Sequence, residues 1–347
     1  MSMGSGQDTP TPRHGVVAIG RNEGDRLRAC LASVAGAPGP VVYVDSGSTD
    51  GSAGAARDAG ASVVDLDLST PFTAARARNE GLARLVELDP SAGYVLFLDG
   101  DCEVVEGFPA AAIAALEAEP GLAVACGRRR ERHPGASIYN RLCDMEWDTP
   151  AGEAKACGGD AMMRVAAVRG VGGFDAALIA GEEPELCVRL RASGWRVRRL
   201  PVEMTRHDAA MTRFGQWWRR NVRAGHAFAE GSALHGRPPE RHWAREARSN
   251  WAWGLALPSA ALLGAWPTSG LSLGLLGAYL LPGWRAARHR RRSGASPADA
   301  RLFAVFCMLG KLPQAEGQLR YWARRLSGRR GRLIEYKHAA TPTPEAR

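Results

Sequence analysis

The 347-residue chain has seven cysteines, Cys30, Cys102, Cys126, Cys143, Cys157, Cys187 and Cys307, but no CxxC pair. Scattered thiols in odd number argue against a disulfide framework and a structural zinc site, and fit reduced, buried side chains of a cytosolic compartment. Met1 to His14 lacks the apolar core of a secretory leader and is rich in Gly, Ser, Thr and Pro. A disordered tail is therefore expected over 1–14, with another over 338–347. No unbroken apolar run reaches the roughly 20 residues a spanning helix needs, and no internal repeat is visible. Negative charge is in deficit: 36 Asp and Glu against 45 Lys and Arg leave +9. The excess lies mostly in the second half and suits an anionic partner, either a nucleotide diphosphate or an anionic membrane face. The Arg-rich stretch 285–292 is not organised as a reading element, so no nucleic acid is expected.

What is present is enough apolar residue, 45%, to bury a core. Gly15–Gly20, Val41–Val44, Ser62–Leu66 and Tyr94–Leu98 are short apolar runs, mostly β-branched, that read as buried parallel strands. Helical segments separate them: 26–34, one ending near Gly60, and 73–87. Further on, a helix over 109–119, a strand over 122–126, a helix over 184–192 and a strand over 195–200 are expected. The fold class is α/β, a mostly parallel sheet flanked by helices. Ligands bind such sheets at the carboxyl ends of the strands, and here those ends carry Asn22-Glu23, Asp45 and Asp99-Gly100-Asp101.

Each group admits a chemical and a plain reading. Asp99 and Asp101 repel one another at a strand end and invite a hard divalent cation, Mn2+ or Mg2+, shared with substrate phosphates. Asp45 could accept a base N–H or merely serve its turn. Glu182, Glu183 and Glu185 open a helix, where the dipole favours acids; clustered carboxylates also raise one another's proton affinity, which suits a general base. His207 beside Asp208 could hold metal or diphosphate. Gln216, Trp217, Arg219 and Arg220 could clamp an acceptor sugar or diphosphate, or face inward on a helix.

The order of these segments resembles glycosyltransferase family 2, inverting enzymes of the GT-A fold. The resemblance rests on Val16–Glu23, Val42–Gly51, Ala77-Arg-Asn-Glu-Gly-Leu82, Leu96-Phe-Leu-Asp-Gly-Asp101, and Gly172-Gly-Phe-Asp175 followed by Gly181-Glu-Glu183. It covers roughly residues 15–230. It implies a nucleotide-sugar site lined by Ile19, Asn22, Glu23, Arg78 and Gly100, with Asp45 on the base (usually uracil). Asp99 falls at the ribose–diphosphate, Asp101 and His207 at the metal, and Glu183 where the family places its base as Asp. Glu is one methylene longer, so Glu182 or Glu185 could share the role. Gln216–Arg220 only loosely resembles the Gln-x-x-Arg-Trp motif of processive synthases, so transfer of a single sugar is implied. The expected halves are 15–106 for the donor and 107–235 for the acceptor.

Residues 236–337 are expected to be helical and membrane-associated. From Trp251 to Trp284 there is no charged residue, the run breaks at Pro267–Gly270, and both flanks are basic. A hairpin dipping into the bilayer from the cytoplasmic face of the inner membrane fits this pattern, as does a buried hairpin. The arginine-rich 319–326 reads as an amphipathic surface helix. The reaction expected is metal-dependent transfer, with inversion, from a nucleotide-diphosphate sugar, UDP-linked by resemblance. The acceptor would be a sugar or lipid-linked sugar of cell-surface polysaccharide or glycolipid assembly. The competing readings are a non-catalytic membrane assembly partner on the same fold, and a sugar nucleotidyltransferase. The latter would want a Gly-rich basic loop after the first strand, and Gly20-Arg-Asn-Glu-Gly24 is too short and acidic for that.

Overall fold

The computed structural model describes residues 13–70 and 72–328. Of the expected tails, 1–12 and 338–347 lie outside the described residues; His14 instead opens the first strand, a correction to the expected boundary.

The first half is built from β1 (His14–Gly20), α1 (Asp25–Ser33), β2 (Val41–Asp45), α2 (Ser52–Asp58), β3 (Ser62–Asp65), α3 (Ala74–Leu88), β4 (Tyr94–Asp99) and β5 (Cys102–Val104). The strands are apolar on both faces because helices cover both. Val16, Val42, Val95, Leu96 and Phe97 are wholly buried, and each such side chain contributes about 1.5–3 kcal/mol. Parallel register sets Ile19 beside Asp99 and Gly20 beside Asp45, so three strand ends reach one level. β1 lies between β2 and β4, and the order reverses there, which leaves a crevice over β1.

The chain continues through α4 (Phe108–Ala118), β6 (Leu122–Glu131), α5 (Ile138–Trp147), β7 (Gly152–Glu153), β8 (Ala161–Arg164), α6 (Val165–Gly170), α7 (Glu182–Ala192) and β9 (Arg196–His207). One sheet runs through both expected halves, in the order β3-β2-β1-β4-β8-β6-β9-β5, with β7 on β9. β8 is antiparallel to β4 and β6; β9 is parallel to β6 and antiparallel to β5. β6 and β9 both outrun their expected ends at 126 and 200. The outer half of β6 is the run Arg128-Arg129-Arg130, and that of β9 opens on Pro201 and is mostly polar, so a hydrophobic reading stops short. Register shifts and cross-strand ion pairs such as Arg130–Glu203 (2.9 Å) carry the ladder onward.

The last part holds α8 (Phe214–His235), α9 (Ala244–Trp251), a π-helical stretch at Ala252–Ala256, α10 (Leu257–Ala265), a 3-10 helix at Leu271–Tyr279, α11 (Leu280–Arg292), α12 (Pro297–Leu309) and α13 (Lys311–Leu326). α13 is a surface helix over 319–326, exposed at Leu319, Arg320, Trp322, Ala323, Arg325 and Leu326 with Tyr321 turned inward. It lies along α8, with Gly317 and Gln318 buried and the Tyr321 ring 5.3 Å from His226. α10 and the 3-10 helix form a hairpin. No helix among the described residues is long and apolar enough to cross a membrane.

Candidate active site

Above β1 and β4, against α7, α8 and α13, lies a cavity of about 650 Å³. One cluster lining it is acidic and carries an imidazole. Asp101 follows β4, and pairing of β5 with β9 sets Cys102 against His207. His207 Nε2 therefore stands 3.3 Å from Asp101 Oδ2, with both side chains buried. The Trp147 ring meets the His207 ring edge-on at 4.8 Å, and Glu131 Oε2 stands 3.8 Å from its Nδ1. Burial, and then Asp160, push the Cys102 thiol well above its usual range, so it stays protonated, and its sulfur lies 3.6 Å from Asp101 Oδ1. The Asp101, Cys102 and His207 ligand atoms lie close enough together to hold one divalent ion, and the carboxylate oxygen and imidazole nitrogen suit Mn2+ or Mg2+ better than the soft sulfur does.

A second cluster in the same cavity is organised by Arg78, which is 1% exposed. Its Nη1 donates to Glu182 Oε1 at 2.8 Å, and its Nη2 lies 2.8 Å from Asp99 Oδ1 and 2.9 Å from Glu183 Oε1. One guanidinium thus faces three carboxylates, from β4 and from the first turn of α7. Asp99 also meets Arg129 Nη2 at 3.2 Å, and that nitrogen is 2.9 Å from the fully buried Asp160. Close approach here requires glycine: a Cβ on Gly159 would fall 2.5 Å from Asp99 Oδ2. Burial raises the Glu183 carboxyl; Arg78 pulls it down, Glu182 and Asp99 push it up, and it settles at about 7. A carboxyl in that range exchanges protons near neutral pH. Glu185 does not share the site. It is held by Arg189 (2.7 Å) and His235 (2.9 Å), and those pairings keep it below its usual range despite burial.

Ile19, Glu23, Arg78, Asp99, Gly100, Asp101, Glu182, Glu183, His207 and Arg220 all line the cavity. The remaining sequence candidates do not. Asp45 turns back on its own loop, accepting from Gly47 and Ser48 main-chain N–H groups (3.0 and 2.7 Å) and from the Tyr43 hydroxyl; its neighbour Ser46 reaches the cavity instead. Asn22 bridges to that loop, accepting from the Thr49 N–H at 2.7 Å. Gln216 caps the start of α8 through the Thr212 and Arg213 N–H groups. Trp217 is buried in a separate core with Leu142 and Met211, and Arg219 is exposed. Arg220 alone of that quartet lines the cavity, and it meets Glu146 Oε2 at 2.6 Å.

Arg129, Asp160, Trp147 and Trp243 line or support the site but were not singled out from the sequence. Arg129 lies in the extended part of β6, and only the Arg128-Arg129-Arg130 run following a strand hinted at it. Asp160 heads the apolar run Ala161-Met162-Met163, a carboxylate where a core strand begins. Trp243 packs on Gly181, which takes φ 84° just before Glu182; a Cβ there would meet the indole at 2.8 Å.

The mannosyltransferase PcManGT from Pyrobaculum calidifontis, described in complex with GDP-Man and Mn2+, superposes with a TM-score of 0.61. It is 22% identical, over 90% of this chain and 88% of that one, and the likeness shows a shared fold. S. aureus TarS 1-349 gives 0.48 at 14% identity, over 89% and 91% of the two chains. Glucosyl-3-phosphoglycerate synthase from Mycobacterium tuberculosis gives 0.46 at 16%, over 65% and 81%. None of the curated proteins matches the chain. Residues 16–163, from β1 through β8, match the family model described as Glycosyl transferase family 2.

Proposed function

We propose that the protein transfers one sugar from a nucleoside diphosphate sugar to an acceptor hydroxyl, by single displacement with inversion at the anomeric carbon. The observation that carries this reading is that one cavity is lined by two kinds of group. Asp101 and His207 stand 3.3 Å apart, and Glu183 has a proton affinity near neutral. The family match over 16–163, and the shared fold with a protein described with GDP-Man and Mn2+, support the same assignment.

Asp101 and His207 would hold Mn2+ or Mg2+, which when bound supplies positive charge for the leaving diphosphate. The protein's own groups do the rest. Ile19, Gly20 and Ser46 at the ends of β1 and β2 receive the nucleoside. Arg78 and Arg129 fix Asp99, whose carboxylate is 30% exposed at its side chain and faces the donor. Glu183 takes the acceptor proton as the oxygen attacks, and Arg78 holds its carboxylate in place. The acceptor is a sugar hydroxyl, free or lipid-linked.

Release of nucleoside diphosphate from a panel of UDP- and GDP-sugars tests the reading. Asp101→Ala and Glu183→Gln should each lower transfer by about 10²–10⁴-fold, the usual worth of such groups. Wild-type rates in both variants would show that this cavity is not the catalytic site.

A further inference from the structure

The hairpin of α10 and the 3-10 helix has an unusual surface. Leu262, Leu263, Trp266, Leu271, Leu280 and Trp284 are all exposed, with Trp266 at 94% and Leu271 at 84%. No charged residue lies between Trp251 and Trp284. The apolar side chains also do not form one stripe. The 3-10 helix buries none of its residues, and the adjacent Leu262 and Leu263, about 100° apart on α10, are both exposed. A second protein surface would cover one side of such an element; an element apolar all round needs an apolar solvent.

We propose that this hairpin inserts into a single leaflet of an anionic lipid bilayer. Its reach sets the depth. Nine residues of α10 rise about 13 Å and nine of 3-10 helix about 18 Å, against a hydrocarbon core of about 30 Å. The hairpin enters one leaflet and turns back. Three of its hydroxyls are paired to main-chain oxygens, which lowers their cost in hydrocarbon. The Thr268 hydroxyl donates to Gly264 O at 2.6 Å, Ser272 to Ala261 O at 2.7 Å, and Tyr279 to Trp253 O. Backbone groups pair within the helices, as lipid requires. Where the hairpin returns, Arg285, Arg288, Arg291 and Arg292 are exposed on α11, and Arg288 lies over the Trp284 ring at 5.2 Å. That is an amphipathic ring at headgroup level followed by a cationic one, matched to anionic lipid. At its root the π-helical stretch packs on α13, where a Cβ on Gly254 would strike Lys311 O at 2.0 Å. α13 and α8 both wall the cavity, through Gln314 and Asn221.

The test is co-sedimentation of the full chain with vesicles of phosphatidylcholine plus phosphatidylglycerol, and of phosphatidylcholine alone. Wild type should pellet with the mixed vesicles and less with the neutral ones. Leu263→Glu with Leu271→Glu should weaken partition more than roughly tenfold, given the cost of a charge in hydrocarbon. Its circular dichroism and donor hydrolysis should be unchanged, because both side chains face away from the fold. Arg285→Gln with Arg288→Gln should remove the preference for anionic vesicles. Thr268→Cys should resist a membrane-impermeant maleimide once bound, with wild type as the blank. Wild type that stays in the supernatant overturns the proposal, as does a solution dimer that the Leu variants dissociate. Labelling of Thr268→Cys from inside the vesicle overturns the single-leaflet depth. These readouts do not depend on catalysis, so their failure leaves the donor-site assignment standing.

Discussion

Glu183 shares the Arg78 guanidinium with Asp99 and Glu182. Burial is the largest influence on it and favours the protonated form; the net position is about 7. The sign for catalysis follows. A general base works deprotonated, so kcat/KM should rise with pH and level off above an apparent pKa near 7. A rate profile flat from acid to mildly alkaline pH would remove Glu183 from the role. The acidic cluster itself was legible in the sequence as a candidate base. Which of the three carboxylates faces the cavity was not. That depends on where α7 begins, and its N-cap Gly181 in left-handed conformation turns Glu182 and Glu183 inward and leaves Glu185 to Arg189 and His235. Asp45 shows the converse. Its strand-end position was read correctly, but the turn it heads takes up its oxygens.

Among the elements, α8 and α13 approach so closely that both need glycine at the crossing. A Cβ on Gly225 would lie 2.0 Å from Gln314 O, and one on Gly317 would lie 2.0 Å from Val222 O. Backbone cannot yield as a flexible side chain can. Gly225→Ala should therefore cost about 1–3 kcal/mol of overpacking, which outweighs the gain of up to about 1 kcal/mol in helix propensity. Tm should fall by a few degrees. Parting the helices also disturbs the Gln314–Asn221 hydrogen bond of 3.0 Å in the cavity wall, so acceptor KM should rise more than donor KM. An unchanged Tm would mean the crossing is looser than the glycines indicate. Sequence reading found the strands of the first half, where apolar runs are bounded by turns. It lost the outer half of β6, where arginines paired to acidic partners replace apolar residues, and with it Arg129, and the outer half of β9 beyond Pro201.

On the scale of the whole molecule, the helical region, like the site above the sheet, carries buried ionisable groups that tie its stability to pH. His226 and Glu230 lie one turn apart on α8, with His226 Nδ1 3.6 Å from Glu230 Oε2. Burial, assisted by Arg324, lowers His226 to about 4; burial, with Asp175, raises Glu230 to about 7. The fold therefore keeps both neutral over a range where the unfolded chain has both charged. For His226 the stabilisation is complete above the unfolded value of 6.5 and is lost as pH falls toward 4. For Glu230 it is complete below the unfolded value of 4.5 and is lost as pH rises toward 7. Between these limits the folded pair binds one proton on Glu230 and the unfolded pair binds one on His226, so their slopes cancel. Each group alone spans about 3 kcal/mol. Glu230→Gln should uncover a stability that climbs from about pH 4 to 6.5, and His226→Gln one that declines from about pH 4.5 to 7. Urea midpoints across that range would measure both. Parallel pH curves for the two variants would show that the groups are not held neutral in the α8–α13 interface.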